Sequence, residues 1–267
     1  MIFNVSGIDE AGRGSVFGSL FIVGVTLDEK SLQLLMKNGL KDSKLFSTLQ
    51  GRKKRSELAL KIKNLASELY IREITAKEID QALENRPHDN LNYLEIRYIS
   101  QIINKLSTKE IIIDSISKPQ YFIKHLIGTL NKLDETLDIK LESNESKTGS
   151  FLIKQPDNSI KKIVISEKAD RFFPSVSAAS CVAKYSRDEH LREIERNWDL
   201  PHSCLGQGYP NKLDLNVMSF LQAYYDKIKN RDFPFIRYSW SWPPLQQIIR
   251  SPSKTLENYF NNKLFTR

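Results

Sequence analysis

Cysteine is scarce in this chain. Cys181 and Cys204 stand in neither a CxxC nor a Cys/His ligand spacing. That points away from a disulfide framework and toward two reduced thiols in a cytoplasmic protein. No apolar run approaches the ~18 residues of a membrane span, so none is expected. The N-terminus lacks a basic region followed by an apolar stretch and a small-residue cleavage site, so no secretion signal is expected. Internal repeats are absent as well. What is present is an ordinary soluble composition: 40% hydrophobic, 10% aromatic and 27% charged residues. Lys and Arg outnumber Asp and Glu by 40 to 32, a formal charge of +8. Such a balance favours an anionic partner, most often nucleic acid, without requiring one.

At 267 residues the length suits one α/β domain with an appendage or two small domains. Met1 to Asp9 is short and apolar and ends in Gly-Ile-Asp; Leu20 to Leu27 is nearly continuous in apolar residues and reads as a buried strand. The Gly- and Ser-rich link between them predicts an antiparallel hairpin. Tyr70–Ile74, Ile111–Asp114 and Lys162–Ser166 are three further strand candidates. Helical spacing marks Leu58, Ile62, Leu65 and Leu69, and then Leu91, Leu94, Tyr98, Ile102 and Leu106. The Lys-rich stretch from Arg52 to Lys63 reads as a solvated helix face. Pro119–Leu133 is a helix with proline near its start. Ser177–Trp198 is a long helix whose small-residue first half lets it approach a sheet closely, and Leu213–Ile228 is one more helix. From Ser251 the sequence turns polar and reads as a flexible tail.

Three acidic positions stand out by location. Asp9 closes the first strand with Glu10 beside it, Asp114 closes a buried strand, and Asp170 follows another. Charges at the ends of apolar strands are costly to bury unless paired or metal-bound. Carboxylates gathered at one end of a sheet suit Mg²⁺ or Mn²⁺, which prefer hard oxygen ligands. Asp9 and Glu10 should point to opposite faces of a regular strand, so both reach one site only if the strand ends there. An Asp after a strand more often forms a turn or caps a helix, and spacing alone does not identify a nuclease.

Sequence motifs carry the reading further. Gly7-Ile8-Asp9-Glu10-Ala11-Gly12-Arg13-Gly14 resembles the opening signature of the type 2 ribonuclease H family. Lys41-Asp42-Ser43-Lys44-Leu45 is similar to its DSK segment, and Leu91-Asn92 with Glu95 to a helix of its archaeal branch. Lys168-Ala169-Asp170, then Ser177-Ala178-Ala179-Ser180, Ala183-Lys184 and Arg187-Asp188, resemble the strand-to-helix block with the fourth acid. Gly206-Gln207-Gly208-Tyr209-Pro210 resembles the GxGYP loop, and Arg237-Tyr238-Ser239-Trp240 the late RxSW segment. The motifs keep family order over about residues 5 to 242. Ser15 follows Gly14 and Ser19 follows Gly18 where many relatives carry proline, and Ser115 follows Asp114 where bacterial relatives carry glycine. Leu133 to Asn158 matches no motif and reads as an insertion.

The resemblance implies a ribonuclease H-like α/β fold: a mixed five-stranded sheet flanked by helices, with a helical C-terminal region and a short tail. The corresponding division is a catalytic domain over 1–200, a helical region over 201–250 and a tail over 251–267. It implies an endoribonuclease that cuts the RNA strand of RNA–DNA hybrids and cuts 5′ of ribonucleotides embedded in duplex DNA, leaving 5′-phosphate and 3′-hydroxyl ends. Its role would be removal of ribonucleotides and RNA primers from DNA. Asp9, Glu10, Asp114 and Asp170 would hold two Mg²⁺ or Mn²⁺ ions that activate water and stabilise the leaving 3′ oxygen. Gly12, Arg13 and Gly14 would inspect the 2′-hydroxyl, the group that distinguishes RNA from DNA. Tyr209 would stack on the following sugar, and Lys44, Lys184 and Arg187 are candidate phosphate contacts. The four histidines do not cluster, which leaves a metal-free histidine-pair mechanism little support.

In the tail, Leu256, Tyr259 and Phe260 resemble the anchors of a sliding-clamp interaction motif, with Ser253 in place of its usual Gln. The alternative is a terminal helix packed on its own domain. Relatives work as monomers, and this chain is expected to do the same. Two other functions compete: a nuclease of the same fold acting on junction DNA or on pure hybrid only, and a non-catalytic module that recruits repair factors.

Overall fold

The computed structural model describes residues 4–40, 49–85 and 89–250. β1 (Asn4–Ala11) and β2 (Leu20–Asp28) form an antiparallel hairpin in register from Asn4↔Asp28 to Ala11↔Phe21. Apart from its last residue, β2 is buried throughout, as its unbroken apolar run requires of a strand covered on both faces. After α1 (Glu29–Lys37) and α2 (Leu49–Leu65), β3 (Glu68–Ile74) adds antiparallel to β2. Next come α3 (Ala76–Glu84) and α4 (Leu91–Lys105), followed by β4 (Glu110–Asp114), which lies parallel to β1. α5 (Pro119–Leu133) leads to a hairpin of β5 (Asp138–Asn144) and β6 (Thr148–Lys154), and β7 (Ile160–Ser166) returns parallel to β4. The sheet order is β3-β2-β1-β4-β7-β6-β5.

Helices cover both faces. On one face α4 and α5 bury Ile99, Ile103, Phe122 and Leu126 against Ile8, Ile22, Ile111 and Ile113. On the other, α7 (Pro174–Asn197), which follows the single turn α6 (Ala169–Phe172), packs with α2 over Val23 and Val25. The small residues of α7 set the spacing. A Cβ on Gly7 would lie 2.2 Å from the backbone carbonyl carbon of Ser175, so β1 and α7 touch main chain to main chain. The remaining helices α8 (Leu215–Ala223), α9 (Tyr225–Lys229) and α10 (Pro243–Arg250) share a second core with Val16, Phe17, Leu191 and Ile194. A Phe17↔Ile236 bridge ties this C-terminal region to the β1–β2 connection.

The sheet has seven strands rather than five. The extra pair comes from residues 133–158, which had matched no motif. β5 exposes most of its length, a pattern proper to a sheet edge, where charged residues discourage pairing with other chains. The helix expected over 213–228 divides at Tyr224 into α8 and α9. Among the described residues no helix is long and apolar enough to cross a membrane.

Candidate active site

The parallel pairing of β1 with β4 stops at Ile8↔Ile113, while β1 stays paired with β2 as far as Ala11. β1 therefore has an open edge beside Asp9 and Glu10, at the point where β4 ends in Asp114. β1 does not end at Asp9, as the requirement for a shared site had suggested. Asp9 lies on the α7 face and Glu10 on the opposite face, and both border the gap left where β4 stops. Asp114 in turn accepts a 2.6 Å hydrogen bond from the backbone N–H of Ala169, which seats α6 on β4. That brings Asp170 to the same end of the sheet. The Ser177 hydroxyl donates to the Asp170 carbonyl and holds the turn against α7.

These carboxyls lie near enough to act on one another's charge. Burial, followed by the charges of Asp114 and Glu10, pushes the Asp9 carboxyl well above its ordinary value, while Ser180 donates to it. Asp114 is pushed up to about 6 by burial, with Asp170 and Glu10 adding to the shift. Glu10 is raised by burial against the opposing pull of Arg13, Lys184 and Arg237. Lys184 bonds Ser180 at 2.8 Å from the next turn of α7, and its charge reaches Asp9, Glu10 and Asp114. Among the described residues, no three acids or other donors stand close enough to form a ready-made metal cage. The fold supplies approach rather than closure. The donor set still fits a hard divalent cation: it is all carboxylate oxygen, and Glu10 Oε2 is buried with no hydrogen-bond partner.

The loop after Glu10 is held from three sides. Gly12 has φ +99, a conformation that favours glycine, and a Cβ there would meet the Ser19 carbonyl at 2.9 Å. The Arg13 guanidinium turns inward. It donates to Glu95 at 2.7 Å, to the Ile116 carbonyl at 3.0 Å and to Asn92, so α4 anchors the loop. Glu95 is fully buried, and burial lifts it to about 8 despite Arg13. Arg237, also fully buried, donates to the carbonyls of Gly18 and Arg13 at 3.0 and 3.1 Å.

Tyr209 closes the third side. A Cβ on Gly14 would touch its ring at 3.6 Å, and the Arg187 guanidinium lies 4.3 Å from the ring centroid. The Gly208 carbonyl accepts from the N–H groups of Val16 and Phe17 at 2.7 and 3.2 Å, stitching the GxGYP loop to the loop after β1. Ser15 and Ser19 are buried and bonded, Ser15 to Arg187 at 3.2 Å and Ser19 to Glu73 at 2.7 Å. The loop is thus secured by side-chain bonds at the positions where proline is absent.

The structure gathers Asp9, Glu10, Asp114, Asp170, Gly12, Arg13, Gly14, Lys184, Arg187 and Tyr209 at one end of the sheet. Arg187 is only 5% exposed, which fits a support beneath Tyr209 better than the open phosphate contact expected of it. Lys44, Leu256, Tyr259 and Phe260 lie outside the described residues. Sequence reasoning gave no role to Ser180, Glu95, Asn92 or Arg237. All four fall inside matched motifs, and that was the signal that could have found them.

Comparison with known proteins gives the family. The family model described as Ribonuclease HII matches residues 6–242. The chain belongs to the ribonuclease HII family. Membership makes it a metal-dependent hydrolase, a ribonuclease H that cuts the RNA strand of RNA–DNA hybrids. Ribonuclease HII of Methanothrix thermoacetophila is 31% identical over 238 residues, 89% of this chain and 94% of that protein. The Methanosphaera stadtmanae ribonuclease HII is 33% identical over 255 residues, 95% of this chain and 93% of that protein. Ribonuclease H2 of Pyrococcus horikoshii superposes with a TM-score of 0.66 at 26% identity, over 93% of this chain and 100% of that one. The Archaeoglobus fulgidus RNase HII, solved in complex with PCNA, shares the fold at a TM-score of 0.65 and 23% identity, over 97% of this chain and 100% of that one.

Proposed function

We propose that this ribonuclease HII cuts 5′ of a ribonucleotide, in RNA–DNA hybrids and in duplex DNA carrying single ribonucleotides, with Asp9, Glu10, Asp114 and Asp170 as the metal-holding carboxylates. The observation that carries the reading is their convergence where β1, β4 and β7 end, beside a glycine loop packed against Tyr209. Two divalent ions held there would lower the pKa of an attacking water and stabilise the departing 3′ oxygen. The chain's own groups do the rest. Ser180 orients Asp9, and Lys184 offsets part of the clustered negative charge. Gly12 and Gly14 let the backbone approach the 2′-hydroxyl, while Arg13 works from behind as the loop's anchor. Tyr209 presses its exposed face on the next sugar, held from below by Arg187. Products carry 5′-phosphate and 3′-hydroxyl ends.

The biological role that follows is removal of ribonucleotides and primers from DNA. A sliding clamp is the partner proposed for Leu256, Tyr259 and Phe260, supported by the tail sequence and by the Archaeoglobus fulgidus complex. The test is mapping of cleavage sites on a hybrid and on a duplex with one ribonucleotide, each in Mg²⁺ and in Mn²⁺. A cut 5′ of the lone ribonucleotide supports the reading. Cleavage of the hybrid alone would restrict the enzyme to hybrids.

A further inference from the structure

Where β4 and β7 end, the sheet carries charge that the chemistry above does not use. Backbone and side-chain bonds gather four segments there. The Ser115 N–H donates to the Ser166 carbonyl at 3.0 Å, joining the exits of β4 and β7. Glu167 donates to the Lys147 carbonyl at 2.9 Å, bringing in the β5–β6 turn. α6 is seated on Asp114, and α5 starts from the same edge with Tyr121 and Phe122 donating to the Lys118 carbonyl at 3.0 Å.

Each of these segments exposes a cation or two: Lys118, Lys147, Lys168 and Arg171. Among the described residues none of the four is in an ion pair. Glu145 and Glu167 share the edge, and Asp114 and Asp170 adjoin it; with those two acids given to metal, four positive charges face two negative ones. Beside Arg171 on α6, Phe172 is 65% exposed, two residues after Asp170, whereas its neighbour Phe173 turns in against Ile112, Ala169 and Val176. A bare phenyl ring next to an unpaired cation, beside carboxylates suited to phosphodiester chemistry, matches nucleic acid: the cations take phosphates and the ring packs on a sugar edge.

We propose that α6 and the β5–β6 turn form a second contact surface for the nucleic-acid duplex. In strand order this surface lies across β1 and β4 from the Tyr209 loop, so the duplex is gripped on both sides of the cut. Lys147 and Arg171 neutralise phosphates, and Phe172 seats against the minor-groove face of the backbone. The assignment rests on the ribonuclease reading above and adds residues from a segment that matched no motif.

The experiment measures KM, kcat and the salt dependence of hybrid binding for the full chain. Lys147→Gln and Arg171→Gln should each flatten the slope of log affinity against log salt by about 0.7–0.9. Phe172→Ala should raise KM roughly five- to tenfold or more with kcat unchanged, in line with aromatic contacts to nucleic acid. Lys147→Arg, Arg171→Lys and Phe172→Tyr should restore wild-type values, which mere structural damage would not allow. Wild-type slopes and KM in all three loss variants, with cleavage intact, overturn this surface and leave the ribonuclease reading standing. A wild-type protein inert on hybrid removes both.

Discussion

Replacing Gly7 with alanine tests the contact on which the site is built. The added Cβ would lie 2.2 and 2.3 Å from the Ser175 carbonyl carbon and oxygen and 2.5 Å from the Val176 nitrogen. All three are backbone atoms, so no side chain can swing away. Restoring an ordinary 3.4 Å contact from 2.2 Å requires about 1.2 Å of separation between β1 and α7. α7 carries Ser180 and Lys184, which address Asp9, so the displacement reaches the carboxylates directly. Overpacking of this kind costs about 3 kcal/mol, the upper end of the usual range. That corresponds to a fall in Tm on the order of 5–10 °C. A 1 Å error in catalytic geometry costs about 100-fold in rate. The assay pairs a thermal scan with kcat/KM on a hybrid. Gly128→Ala is the control: nothing lies within 4 Å of its Cβ, and it sits inside α5. It should gain about 0.5–1 kcal/mol and keep full activity. A Gly7→Ala protein with wild-type Tm and rate would refute the reasoning.

Three further outcomes are expected. Arg237→Ala should lose about 3–5 kcal/mol in denaturant titrations, because the buried guanidinium binds the Gly18 and Arg13 carbonyls, and Arg237→Lys should recover only part of it. Asp114→Asn should abolish cleavage yet raise Tm at pH 7 in EDTA. The Asp114 pKa is raised from 3.8 to about 6, so the native state binds more protons than the unfolded one between those values and loses stability as pH rises through them. The gain should vanish below about pH 4, and an unchanged Tm at pH 7 would count against the cluster. In a double-mutant cycle, Arg187→Gln should cost hybrid cleavage in the wild-type background but little beside Tyr209→Ala, because Arg187 packs on the ring; additive losses would give Arg187 a separate role.

The parts of this fold legible in the sequence are those with long, one-sided or unbroken apolar patterns. β2 and β4 are apolar runs, β1 and β7 each hold a short apolar stretch, and α5 was readable to its ends because Pro119 marks its start. β5 was not, because an exposed edge strand of mixed charge carries no apolar alternation. α6 is four residues long, too short for any period to register. The candidate acids stood out in the sequence because each lies in or just after a strand and within a motif, although only Asp114 ends its strand in the fold. The charges beneath them were not. Glu95 and Arg237 are fully buried, and local pattern places Glu and Arg at the surface. Only the tertiary meeting of α4, the Gly12–Gly14 loop and the RxSW segment pairs them with partners.

The most direct measurement compares hybrid binding and cleavage for Asp9→Asn, Glu10→Gln, Asp114→Asn and Asp170→Asn in saturating Mg²⁺. The account predicts that each variant binds the hybrid yet fails to cut it. Cleavage at the wild-type rate by any two of the four would contradict a shared carboxylate centre.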